Sequence, residues 1–401
     1  MSKNLSVDDA RGRMLAGIAP GAPETVALDR SAVGRTLAEP VAASRDQPPF
    51  DASAMDGWAV GETDDASVFA IIGESAAGHG FDGVVGPGQA IRVFTGAPVP
   101  KACVVIIQED SEREGGQVRF TVPVPPARTH VRRRGGDFAE GEVLLQAGMR
   151  LDALRLSVAA SAGRAEALVA RKPRVAILST GEELVRPGEG EPGPFQIFES
   201  NGTALEAVIA SWGGAPQRLI PARDNEEAII AAVAGVEADL IVTVGGASVG
   251  DYDLVKPALG QLGLEMIVSS VRLRPGKPTW FGRLADGRRV LGLPGNPASA
   301  MVAAELFLRP LLLAWQGADP TLPMETARLT APVRETGPRE QWMRAWLACG
   351  PDGVQLVTPF MDQDSSLVSV FARSNALMRL AEGAPAAEAG AVVEVLRLDR
   401  L

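Results

Sequence analysis

Three glycine- and proline-rich turns constrain this chain more than any other feature: GGASVGDYD from Gly245, RPGKP from Arg274 and LPGNPAS from Leu293. The first and last directly follow short apolar segments. Leu240-Ile241-Val242-Thr243-Val244 is short, apolar and β-branched, the pattern of a parallel strand buried on both faces. Its turn therefore falls at a carboxyl edge, where open α/β sheets place their ligand crevice and small residues let backbone N–H groups approach a phosphate. Val290-Leu291-Gly292-Leu293, running into Pro294-Gly295-Asn296-Pro297, repeats the arrangement. Two further passages extend it: Val175-Ala176-Ile177-Leu178 into Ser179-Thr180-Gly181-Glu182-Glu183, and Arg218-Leu219-Ile220 into Arg223-Asp224-Asn225. Four polar turns are expected to converge on one rim.

Carboxylates are the odd element of such a rim, because Glu183, Asp224 and Asp253 would stand beside a bound phosphate and repel it. A divalent cation resolves the conflict: magnesium bridges one or two protein carboxylates to substrate phosphate oxygens while keeping several waters. Arg274 and Lys277 bring the opposite charge and suit a phosphate or a free oxyanion. Capping competes with the metal reading. Asp224 followed by Glu227 and Ala228-Ile229-Ile230 fits a helix N-cap with its capping-box partner, and Asp251 or Asp253 would equally cap the segment Leu254 to Leu259. Recurrence of polar turns after several strands, rather than any one glycine, favours a site.

Two motifs that imitate other chemistries fail on context. Gly246-Ala247-Ser248-Val249-Gly250 has the form of a nucleophile elbow, but an α/β-hydrolase needs its histidine after the serine, and His79 and His130 both precede it. Gly188-Glu189-Gly190-Glu191-Pro192-Gly193 has the G-x-G-x-x-G form, yet it carries two glutamates and a proline and opens no helix, so it reads as an acidic loop. A formal net charge of -10 argues against non-specific nucleic-acid binding. Cys103 and Cys349 lack metal-ligand spacing and read as buried thiols. The amino terminus has no apolar signal core, and no segment combines the length and uniform apolarity of a membrane span, which gives the cytoplasm as the expected location.

A chain of 401 residues accommodates several domains. Val7 to Ile18 has helical spacing behind a Ser6 cap. After a proline- and glycine-rich passage come short strands between tight turns: Gly57 to Val60, Phe69 to Ile72, Ala90 to Phe94 and Cys103 to Ile107. A helical stretch, Asp152 to Ala162, and the linker Arg171-Lys172-Pro173 lead into the α/β region, whose helices include Gly202 to Trp212 and Ala298 to Leu308. Beyond Asp319-Pro320 the chain returns to short strands.

Eight motifs in order carry a family resemblance: PPFDASAMDGWAV, FTGAPVP, VRRRGGDF, STGEEL, ARDN, GGASVGDYD, RPGKP and LPGNPAS. Over nearly its whole length the chain resembles the MoeA-like molybdopterin molybdenumtransferases of molybdenum cofactor synthesis, to which the E domain of gephyrin is related. The resemblance implies an α/β plus β fold in an elongated multidomain chain. Residues 1–20 would pack a helix on the α/β domain, 21–44 and 140–170 form a small linking region, and 45–139 a β-rich lobe. A MogA-like α/β pterin- and nucleotide-binding domain would span 171–318, and a carboxyl-terminal β-barrel-like domain 319–401. It further implies a homodimer that takes adenylated molybdopterin and molybdate, inserts molybdenum with magnesium and releases AMP. Transient contacts with the molybdopterin adenylyltransferase and with apo-molybdoenzymes follow, with no nucleic-acid or membrane partner.

Carried over position by position, the resemblance implies catalytic roles for Glu183, Asp224, Asp253, Asp56 and Thr95, the first three also as metal ligands. Asp56 and Thr95 would face the partner subunit's α/β domain; locally, each also fits an ordinary turn. Substrate contacts would come from Thr180, Gly181 and Asn201, from Gly245, Gly246, Ser248 and Gly250, and from Arg274, Lys277 and Pro278. Pro294, Gly295, Asn296, Pro297 and Ser299 would add to them, with Arg134 in the lobe and Arg344 and Ser365 near a molybdate pocket. Three positions depart from the family pattern: Arg274 where lysine is common, Gly136 in place of an acidic residue, and Glu199 where aspartate is frequent. The competing expectations are a gephyrin-like scaffold and a pterin-nucleotide carrier without catalysis.

Overall fold

The computed structural model describes residues 4–62, 64–125, 129–222, 225–245 and 254–398. Its centre is built by three short apolar strands, Arg174–Ser179, Leu240–Val244 and Arg289–Leu293, which lie side by side and parallel, with Val175 opposite Leu240 and Ile241 opposite Val290. Ala215–Arg218 joins one edge in parallel, and Trp280–Arg283 and Glu265–Val268 extend the other edge antiparallel, giving six strands. Side chains alternate between two buried faces. Val175, Ile177, Val242 and Leu291 pack with Leu205 and Ile209 on one side, while Ala176, Leu178, Ile241 and Val290 pack with Ile229 and Val233 on the other.

Several boundaries differ from the sequence reading. The strand expected over Arg218 to Ile220 is Ala215–Arg218; Pro221 follows closely, and Ile220 is 79% exposed. The helix expected from Ala298 to Leu308 begins at Pro297, passes through a π-helical turn at Ala304–Leu308 and continues to Trp315. Pro297–Trp315 is thus long and apolar enough to cross a membrane by length and composition, which the sequence reading did not anticipate, yet 83% of its apolar window is buried inside the protein. It serves as a core helix. Asn225 caps Glu226–Ala234, accepting from the Ala228 N–H at 2.8 Å; Asp224, the expected cap, lies outside the described residues. At the amino terminus the helix is Val7–Leu15, and Ser6 accepts from the Asp9 N–H at 3.1 Å as a cap should.

The carboxyl-terminal strands close into a five-stranded barrel. Glu340–Cys349 pairs with both Gln355–Pro359 and Ala376–Leu380, and Met324–Leu329 with Val392–Arg397 completes the ring around Ala345, Val357, Met378 and Val395. Two contacts fuse the barrel to the α/β domain: Leu273–Arg274 adds in parallel beside Glu340–Gln341, and Trp342, Leu377 and Leu396 join the larger α/β core. The β-rich lobe holds a six-stranded sheet that includes Gly57–Gly61, Val68–Ser75, Gln89–Val93 and Cys103–Ile107. Residues between lobe and α/β domain form their own small core around Leu37, Val41, Leu145, Leu151 and Val169.

The linker into the α/β domain is pinned. Arg171 donates to both carboxylate oxygens of Asp239 at 2.9 and 3.0 Å, and the Arg174 N–H adds a third bond at 2.6 Å. Cys103 is buried, and burial pushes its thiol up to about 11. Cys349 is exposed, against the sequence reading, because it ends the barrel strand Glu340–Cys349 where the outer residues no longer meet another layer.

Candidate functional site: two cavities with a common wall

Strand ends that lie side by side bring their turns together, and here they enclose a cavity of about 390 Å³. Thr180, Asn201, Gly245, Gly295, Asn296 and Pro297 line it, so three of the four expected turns converge. Their backbones are linked directly. Thr180 N–H donates to Val244 O at 3.0 Å, Gly245 N–H to Leu293 O at 3.3 Å, and the Asn201 side-chain amide to Gly295 O at 2.7 Å. Gly245 has φ +92°, and a Cβ there would lie 2.5 Å from Thr180 O, so both conformation and space demand glycine. The Thr180 hydroxyl is buried without a partner among the described residues. Pro294 leads into the last turn but lines neither this cavity nor the next, and Gly181 lies in an adjoining hollow with Pro221 and Ala222.

Two acidic side chains face this cavity, and they differ in what they can do. Glu199, 2% exposed, is fully engaged: it accepts from Ser179 Oγ at 2.9 Å and from the Gly202 N–H, and it pairs with Arg218. Glu183 has no side-chain partner among the described residues, and its carboxylate oxygens lie 2.6 and 2.7 Å from where a Cβ on Gly181 would sit. An unpaired carboxylate at a polar rim suits a hard cation such as magnesium. Among the described residues no group of three His, Cys, Asp or Glu gathers as a metal cluster. Asp224 and Asp253, and also Gly246, Ser248 and Gly250, lie outside the described residues.

RPGKP does not join that rim. It faces a second cavity of about 340 Å³ at the junction with the barrel, lined by Arg274, Lys277, Pro278, Ser299 and Ser365. Gly276, at φ +118°, turns its carbonyl to accept from Thr279 N and Oγ1 at 3.0 and 2.7 Å, which fixes the turn. The barrel supplies a cation that the sequence reading missed, Arg339, together with Asp364. Arg344, expected in this pocket, stands behind its wall: it is 1% exposed and donates to Asp364 O, Leu367 O and Gln363 Oε1 at 2.9, 3.1 and 3.3 Å. The loop it supports separates the two cavities, because Ser365 faces the second and Ser366 the first. Asn296 seals the partition, donating from Nδ2 to Ser365 Oγ at 2.9 Å, while the Ala298 N–H donates to Ser365 O at 3.0 Å.

Asp56 and Thr95 line neither cavity, but they form a unit of their own at neighbouring strand ends of the β-rich lobe. Thr95 N and Oγ1 both donate to Asp56 Oδ1, at 2.7 and 2.9 Å, which holds the Asp56 carboxyl below its usual range. Arg134 also sits in the lobe, paired with Asp46, with its N–H donating to Asp51 at 2.9 Å.

A mostly parallel sheet with a polar cavity at its carboxyl edge, fused through a cationic cavity to a closed barrel and carrying a separate β-rich lobe, defines a modular protein that joins an α/β domain with a carboxyl-edge site to a β-barrel. Family models agree: the MoeA N-terminal region (domain I and II) matches residues 5–163, a probable molybdopterin binding domain 176–314, and the MoeA C-terminal region (domain IV) 326–398. The chain is 32% identical to a molybdopterin molybdenumtransferase of Haemophilus influenzae over 99% of each chain, and 33% identical to one of Bacillus subtilis over 98% of this chain and 94% of that one. The crystal structure of a molybdopterin biosynthesis MoeA protein from Pyrococcus horikoshii matches all of both chains at 30% identity and a TM-score of 0.81. The chain belongs to the molybdopterin molybdenumtransferase (MoeA) family, transferases of molybdenum cofactor biosynthesis.

Proposed function

We propose that this protein inserts molybdenum from molybdate into adenylated molybdopterin and releases AMP, in a magnesium-dependent reaction performed by a homodimer in the cytoplasm. The observation that carries the reading is the common wall between the cavities, with Ser365 on one side, Ser366 on the other and Asn296 across it. Two substrates held in the two cavities would meet there without leaving the protein. The carboxyl-edge cavity offers the backbone N–H groups and hydroxyls that phosphates accept from, and Arg274, Lys277 and Arg339 offer the second cavity's charge to the molybdate dianion. Glu183 would serve as a magnesium ligand, with Asp224 and Asp253 proposed to complete the set. Magnesium bound there would offset the charge of the phosphoanhydride oxygens. A carboxylate not spent on that task would orient the attacking water in line.

Asp56, locked to Thr95 and lining neither cavity, is read as a contribution to the partner subunit's site, with Arg134 as an anionic-ligand contact, so an isolated monomer should be inactive. Substrate would arrive from the molybdopterin adenylyltransferase, and product would pass to apo-molybdoenzymes. Purified protein supplied with adenylated molybdopterin, magnesium and molybdate should release AMP, and Glu183→Ala should slow release by about a hundredfold or more. Absence of AMP, or an unchanged rate in Glu183→Ala, would refute the catalytic reading.

A further inference from the structure

The second cavity contains one residue of the wrong sign for an oxyanion. Arg274, Lys277 and Arg339 line it, and none has an ion-pair partner among the described residues. Asp364 is the single acidic residue in the lining. We infer that Asp364 tunes this cavity, weakening its hold on fully deprotonated dianions and setting which oxyanions it prefers; the inference rests on the oxyanion reading proposed above.

Asp364 is fixed at the wall. Its Oδ1 accepts from Ser366 N at 2.8 Å and Ser366 Oγ at 2.7 Å, and its backbone carbonyl accepts from buried Arg344 at 2.9 Å. The Ser366 hydrogen bonds, side chain first, hold the carboxyl below its usual range, so it is ionised at neutral pH. Three cations and one carboxylate leave a formal charge of about +2, enough to neutralise a dianion but not to trap it. An ionised carboxylate only accepts hydrogen bonds. It can therefore take the O–H of hydrogen phosphate, but it meets sulfate and molybdate with repulsion alone. An exchangeable anion is what the shared wall requires, since a tightly held one would not leave the cavity for the second substrate.

Asp364→Asn isolates the charge, because the amide oxygen can still accept from Ser366 and the side chain is exposed. Calorimetric titration of wild type, Asp364→Asn and Arg339→Ala with molybdate, sulfate and phosphate near neutral pH tests the idea. Molybdate and sulfate should bind Asp364→Asn about tenfold more tightly than wild type. Phosphate should gain less, because it also loses an acceptor. If wild type binds molybdate, Arg339→Ala loses that binding and Asp364→Asn is unchanged or gains equally for all three anions, the inference is overturned while the cavity reading stands. If neither wild type nor Asp364→Asn binds any of the anions, the cavity reading falls and the inference with it.

Discussion

The two cavities are built by different means. The carboxyl-edge cavity comes mainly from adjacent strands of one sheet, each delivering its own following turn, and the barrel adds only Ser366 and Val368 to its lining. The cationic cavity exists only because Leu273–Arg274 pairs with Glu340–Gln341 of the barrel and Arg344 holds the loop that carries Asp364 and Ser365. Assembly from neighbouring strands fixes the first through backbone hydrogen bonds between its turns. Assembly across a domain junction makes the second adjustable, because its lining charges come from segments that can change independently.

The largest break should come from within the first cavity. Gly245→Ala forces a Cβ to within 2.5 Å of Thr180 O at a φ of +92°, a combination of clash and strain worth about 2–4 kcal/mol. AMP release should fall by about a hundredfold through misplacement of the rim. Molybdate binding, measured by calorimetry, should persist, since the cationic cavity takes no residue from this turn. Equal loss at both cavities would mean that they are one unit.

The same contrast decides what was legible in the sequence. β-branched apolar runs such as Leu240–Val244, each followed by small polar residues, identify strand, buried face and carboxyl-edge turn from a dozen consecutive residues. RPGKP resembles the other turns in composition and reads as part of the same anion site, and nothing local reveals that its strand pairs with the barrel. Arg339 and Arg344 illustrate the limit: two arginines close in sequence, of which one lines the cavity and the other is buried behind it. Which is which depends on the barrel's closure, not on either residue's neighbours. The helix cap poses a smaller version of the problem: the sequence pattern points to Asp224, which lies outside the described residues, and the acceptor is Asn225 one residue on. Capping therefore belongs to Asn225.

Arg344→Met tests the second construction. Removing the guanidinium leaves the carbonyls of Asp364 and Leu367 without their donor, a cost of about 3 kcal/mol in stability. Molybdate affinity should drop as the loop loosens, although Arg344 touches no cavity space, while nucleotide binding to the carboxyl-edge cavity should fall less, since the loop gives that cavity only Ser366 and Val368. Separate titrations with AMP and with molybdate distinguish the effects.

A change at the opposite edge of the sheet should leave both cavities alone and alter only acid stability. Burial alone would push the Asp239 carboxyl up, but the paired hydrogen bonds from Arg171, with the Arg174 N–H, outweigh it and hold the folded value below the usual one. The stabilisation is then present above the ordinary carboxylate range, near about pH 4, and is lost as pH falls through the lowered folded value. Asp239→Asn should melt a few degrees lower than wild type at neutral pH, and the gap should close on acidification. A constant gap would show that shape, not charge, holds the linker.

The smallest effect belongs to the amino-terminal cap, and it measures how far the local rule extends. Ser6 accepts from the Asp9 N–H, and the helix it starts buries Val7, Ala10 and Met14 in the α/β core, next to the bridge from Leu5 to Val271 that precedes RPGKP. Ser6→Ala should cost about 1 kcal/mol, the usual value of a lost cap. If the helix matters only through the core, denaturant midpoints will shift slightly and both titrations will match wild type. A weaker molybdate affinity with unchanged AMP binding would place the helix among the supports of the cationic cavity, extending its dependence on distant segments to the first turn of the chain.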